Sequence, residues 1–170
     1  MAESREWLIQ WLRDAHAMEE QAETMLSGQL SRIDSYPELS ERIRSHLEGT
    51  KEQARRLKTC LDGLDEGSSM LKDGGGKLTA TAQSISGVFA GDEVMKGSLA
   101  SYTFEHMEIA SYTILIAAAN AAGESEIARV CEENLREEEA MAEWLESNLA
   151  GHPDLPDARG GGQRQRQALT

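Results

Sequence analysis

Apolar side chains recur at alternating intervals of three and four residues in four separate stretches, each about 25 residues long, and no stretch alternates with the period of two that marks a strand. The first stretch, from about Ser4 to Leu30, places Leu8, Leu12, Ala15, Ala22 and Leu26 on one face, with Trp7, Trp11, Met18 and Met25 beside it. Ser4 is the expected cap, since its hydroxyl can accept from an unpaired first-turn N–H. Tyr36-Pro37 interrupts the pattern, and Pro37 suits the first turn of the next helix, where its missing N–H costs nothing. The second stretch, from Pro37 to about Leu64, carries Leu39, Ile43, His46, Thr50, Gln53, Leu57, Cys60 and Leu64. A third runs from about Asp92 to Ala122, with Gly123 as its stop. The fourth, from about Glu124 to Ala150, carries Ile127, Cys131, Asn134, Glu138, Met141 and Leu145, with Leu135, Ala142 and Leu149 alongside.

The links between these stretches differ. Short turns join the first to the second and the third to the fourth, so each pair is predicted to form an antiparallel hairpin. Residues 65–91 are instead rich in Gly and Ser, with GGG at 74–76, and only LTATAQSISGVFA looks capable of a short helix. That segment is long enough to run the length of a 25-residue helix, about 37 Å at 1.5 Å per residue. The second and third helices can therefore lie parallel. The predicted fold is all-α, a ferritin-like four-helix bundle with one long crossover between helices 2 and 3. It occupies residues 1–150, and residues 151–170, GHPDLPDARGGGQRQRQALT, have the composition of a flexible C-terminal tail.

Composition narrows the function. The chain has 170 residues, 39% of them hydrophobic, enough for an ordinary packed core in one domain. A net charge of -13 argues against nucleic acid as a partner, because such surfaces need clustered Lys and Arg. No run approaches membrane-spanning length, and the first twenty residues lack the apolar core of a signal peptide. Cys60 and Cys131 are too few for a disulfide framework, so a reducing cytoplasm is expected.

The four apolar faces are each broken at mid-length by polar residues. Glu19 interrupts the first; His46, Thr50 and Gln53 the second; Glu105, Glu108 and Tyr112 the third; Asn134 and Glu138 the fourth. Unpaired buried carboxylates are costly, and crowded ones repel. Divalent cations compensate for both. Four glutamates and one histidine projecting inward from facing helices suit one or two Fe or Mn ions, neutralising two divalent charges. Glu19, His46, Glu105, Glu108 and Glu138 are the candidate metal ligands. Thr50, Gln53 and Tyr112 are the candidates to orient them by hydrogen bonds. His106 is turned about 100° from Glu105, His16 and Glu20 have the spacing of a surface pair, and both cysteines fall near one end of the bundle as small core residues.

The combination of W-L-x-D-x-x-x-x-E-x-Q ending at Gln21, H-L-E-x-T-x-x-Q-x-x-R-L from His46, E-H-x-E-I-A-S-Y from Glu105 and L-x-E-E ending at Glu138 resembles the YciE/YciF-type stress proteins. The resemblance covers about residues 5–149. It implies a ferritin-like bundle, a homodimer, a dinuclear metal site between the helices and expression under stress. The sequence also departs from the general di-iron plan, which places Glu-x-x-His on two helices. Glu138 is followed three residues later by Met141, and His46 by Gly49, where similar proteins carry a glutamate. Three functions follow as expectations: a metal protein reacting with peroxide or oxygen, a structural or partner-binding bundle with a degenerate site, and iron storage in a cage. The last has the least support, since a dimer encloses no mineral.

Overall fold

A computed structural model describes residues 2–65 and 93–149. Four helices hold most of them: α1 (Ala2–Leu30), α2 (Pro37–Asp65), α3 (Glu93–Ala122) and α4 (Ser125–Asn148). Pro37 is the first residue of α2, as its fixed φ favours. Ser4 does not cap α1. The helix begins two residues earlier, with Glu3 in its first turn, where negative charge meets the positive end of the helix dipole. The α3 stop is Gly123, at φ 78, a conformation that glycine adopts without steric cost. There Glu124 N donates to Ala119 O (2.9 Å), the six-to-one bond that closes a helix end. The crossover segment and the tail lie outside the described residues.

Side-chain contacts fix the relative directions. Ser101 donates to Gln29 (2.9 Å), and Tyr112 bonds to Glu19, so residue numbers run in opposite senses along α1 and α3. Helices α1 and α2 are antiparallel across their short turn. It follows that α2 and α3 are parallel, and that the end of α2 and the start of α3 lie at opposite ends of the bundle. This is the placement a lengthwise crossover requires. Packing runs α2–α1–α3–α4, and the ring closes along a thinner α2–α4 seam.

The interior is layered. One apolar cluster gathers Leu8, Leu12, Leu57, Leu61, Phe104, Leu115 and Ile127, with Cys131 buried in it and Cys60 packed against it. A second gathers Leu26, Ile33, Leu39, Ile43, Leu47, Met141 and Leu145 toward the other end. Each fully buried Leu contributes about 1.5–3 kcal/mol, enough for the two clusters to hold the polar layer between them. Among the described residues no helix is long and apolar enough to cross a membrane.

Candidate metal centre

The polar layer comes from all four helices because each apolar stripe is interrupted at the same height. Glu19, Thr50, Gln53, Glu105, Glu108, Tyr112, Asn134 and Glu138 are all at most 1% exposed, and His46 is 9% exposed. On α3, a spacing of three and then four keeps Glu105, Glu108 and Tyr112 on one inward face. His46 reaches diagonally across the bundle from α2. Its Nε2 lies 3.1 Å from Glu105 Oε2 and 3.5 Å from Glu138 Oε2.

His46, Glu105, Glu108 and Glu138 each offer a ligand atom, and these atoms lie within 4.8 Å of one another. Their polar atoms are unsatisfied. His46 Nε2, Glu105 Oε2, Glu108 Oε1 and both oxygens of Glu138 are buried without a hydrogen-bond partner. Buried polar atoms are normally paired, so a cluster of orphans in one layer is a place where a cation or water could bind. Three oxygen donors and an imidazole are the ligand set that Fe and Mn accept.

The protonation states fit the same picture. Burial pushes Glu105 up to about 7 and Glu138 up to about 8. Their mutual contact lowers Glu105 and raises Glu138. Glu108 is held well above the usual carboxylate range by burial and then by the Glu138 and Glu19 charges. Burial lowers His46, against the pull of Glu138, which keeps its ring neutral and its lone pair available. Burial thus shifts all four acids toward the neutral carboxyl.

Glu19 stands beside the four-residue group. One of its oxygens accepts from the Tyr112 hydroxyl, and Oε2 is unpartnered. Burial and then Glu138 raise its pKa well above the ordinary value. Gln53 Nε2 donates to Glu137 Oε2 (2.8 Å), and the same amide eases the charge on Glu138. Thr50 is buried on the same face. Asn134 Nδ2 donates to Tyr112 Oη (3.0 Å), and Arg56 donates to Asn134 Oδ1 (2.9 Å).

Arg56 and Glu137 stand in the motifs that carry the family resemblance, but the apolar pattern assigns them no role in the polar layer. Glu137 stands in a charged run, EENLREEEA, that reads as a solvated face, and Arg56 follows Arg55 beside the buried stripe. A usable signal existed in Asn134, since a buried amide on an apolar stripe needs a donor and an acceptor nearby. His106 points outward and stacks edge-on with Tyr102 at 4.5 Å between ring centroids. His16 pairs with Glu20 at 3.8 Å on the surface. Met141 is fully buried in the second apolar cluster, and a Cβ added at Gly49 would meet no atom within 4 Å.

Fold and site together define a four-helix bundle with a buried carboxylate–histidine layer. The chain belongs to the family described as a domain of unknown function, DUF892, whose model matches residues 3–154. It is similar over 86% of its length to a crystallised protein of Xanthomonas campestris pv. campestris, at 45% identity, 90% coverage of that chain and a TM-score of 0.71. It is also similar to YcfI of Rhodopseudomonas palustris, named as a candidate structural protein. That match has 26% identity, 85% and 93% coverage, and a TM-score of 0.73. The E. coli stress protein YciF shares the fold at 23% identity, 88% and 96% coverage, and a TM-score of 0.73.

Proposed function

We propose that this protein is a ferritin-like metal-binding stress protein that holds one or two Fe or Mn ions in its polar layer and uses them to react with peroxide or oxygen. The observation that carries this is the set of orphaned donor atoms on His46, Glu105, Glu108 and Glu138, gathered within 4.8 Å inside an otherwise apolar bundle. Glu19, adjacent and with a free oxygen, is the fifth proposed ligand. Bound Fe or Mn would supply the electrons for reducing a small oxidant. The chain supplies the rest. Its two apolar clusters exclude bulk water, the carboxyl protons on Glu105 and Glu138 leave when a cation arrives, and Tyr112 donates a hydrogen bond to Glu19.

The test is peroxide consumption by Fe-loaded and Mn-loaded protein. Wild type is expected to exceed both the metal-free protein and the free ion, and Glu105→Ala to lose the difference. Equal rates in all of these samples would refute the activity. A second reading, a structural bundle with a degenerate site, draws on Met141 and Gly49, which put an apolar side chain and open space where the di-iron plan has ligands. It predicts that loading with metal leaves thermal stability unchanged.

A homodimer is proposed on the outer face of α3. From Leu99 to Ala122 the only charged residues are the buried Glu105 and Glu108, in a chain whose residues are 28% charged. Leu99 and Ile114 are exposed on that helix, 59% and 44%, and Trp7 of the adjacent α1 is 60% exposed. An outer helix face without ionised side chains that exposes Leu99 and Ile114 suits cover by a second copy of the chain. Free Cys60 and Cys131 support a reducing, cytoplasmic setting.

A further inference from the structure

A hydrogen-bonded line runs from the bundle surface into the polar layer, and chemistry fixes its direction. Arg56 can only donate. Its guanidinium is held by Glu137 (3.0 Å) and Glu133 (3.3 Å) at a side chain 21% exposed, and it donates to Asn134 Oδ1 (2.9 Å). That contact settles which end of the Asn134 amide is oxygen, so Nδ2 must face Tyr112 and donate to its Oη (3.0 Å). With its oxygen already accepting, the Tyr112 hydroxyl has one use for its proton, the bond to Glu19 Oε1. Glu19 is thereby left with Oε2 as its unpartnered atom, in a residue with no solvent exposure.

We propose that Arg56 and Asn134 are positioning residues, which act through Tyr112 to direct its proton at Glu19 and so leave Glu19 Oε2 as the oxygen offered to a second cation beside the His46 group. This rests on the metal-site reading above. It assigns the two cations different dependences. The first is held by His46, Glu105, Glu108 and Glu138, which the line does not touch. The second needs Glu19 Oε2 free to face it while Oε1 is occupied by the Tyr112 hydroxyl, which the line secures.

The test is a titration of metal-free protein with Co(II), followed by visible absorbance, in wild type, Asn134→Asp, Arg56→Lys and Arg56→Met. An aspartate at position 134 has the size of asparagine and still accepts from Arg56, but it cannot donate to Tyr112 and competes for the phenol proton. We expect the first Co(II) to bind within twofold of wild type in every variant. The second should weaken at least tenfold in Asn134→Asp and Arg56→Met, and Arg56→Lys, which keeps a donor, should recover to within threefold. Circular dichroism confirms that each variant is folded. Equal weakening of both cations, or an Arg56→Lys defect as large as that of Arg56→Met, would mean that the line is mere packing and overturn the inference. A wild type that takes one Co(II), unaffected in Asn134→Asp, overturns it while leaving the metal site standing. A wild type that takes none overturns both.

Discussion

Metal-free protein should lose stability as pH rises from 5 to 8, the reverse of what ordinary carboxylates produce. Glu105 goes from 4.5 in the unfolded chain to about 7 in the folded one, and Glu138 from 4.5 to about 8. Between those values the folded state binds more protons than the unfolded state, so the unfolding free energy falls with increasing pH. At 1.36 kcal/mol per pKa unit, Glu105 alone accounts for about 3 kcal/mol. Glu138 acts in the same direction, but the two groups influence each other and their effects do not add. His46, lowered by burial, acts oppositely, stabilising above its unfolded value of 6.5 and losing that contribution as pH falls. The carboxyls outweigh it in number. Urea unfolding followed by circular dichroism in chelator should show the midpoint falling by roughly 1–3 M between pH 5 and 8, given slopes of 1–3 kcal/mol/M. General repulsion in a chain of charge -13 also grows with pH, so the control is Glu105→Gln with Glu138→Gln, in which most of the dependence should vanish. A wild type as stable at pH 8 as at pH 5, or a double variant with an undiminished slope, would refute the argument.

Other outcomes follow from the same geometry. Tyr112→Phe strands Asn134 Nδ2 and one oxygen of Glu19, and should cost about 1–3 kcal/mol in urea unfolding without changing helix content. Gly49→Ala meets open space in mid-helix and should stabilise by about 0.5–1 kcal/mol, read as a rise in Tm. Met141→His puts an imidazole one turn after Glu138. It should tighten Mn binding at least tenfold by calorimetry while costing the metal-free protein about 1–3 kcal/mol for a buried polar ring. Ile114→Glu places a charge on the outer face of α3 and should shift the species seen by light scattering from dimer to monomer.

The three-and-four spacing made the helices and their buried stripes legible, because a core-facing stripe repeats whatever its partner. Leu12, Ile43 and Leu145 needed no tertiary information to be placed inside. The polar layer was legible for the same reason: Glu19, His46, Glu105, Glu108 and Glu138 each stood on an apolar stripe at mid-length, and all are buried. What the pattern could not supply was how they divide. Periodicity gives a face and a height but no distance, so it grouped all five glutamate and histidine candidates. The structure instead gathers four and hands Glu19 to Tyr112. The roles of Arg56 and Glu137, though both stand in the quoted motifs, escaped for a different reason. A long side chain at the edge of a stripe reaches inward or outward according to its neighbours, and one sequence does not name them. The start of α1 also escaped, since helix ends depend on competing first-turn interactions worth a few tenths to 1 kcal/mol.

The central claim is that the acids are buried because a cation holds them. Elemental analysis of native, untagged protein purified without chelator tests it most directly, with Glu105→Ala prepared in parallel. One to two Fe or Mn per chain in the wild type, lost in the variant, is the predicted result. A wild type that is empty as purified and takes up neither metal when titrated would contradict it.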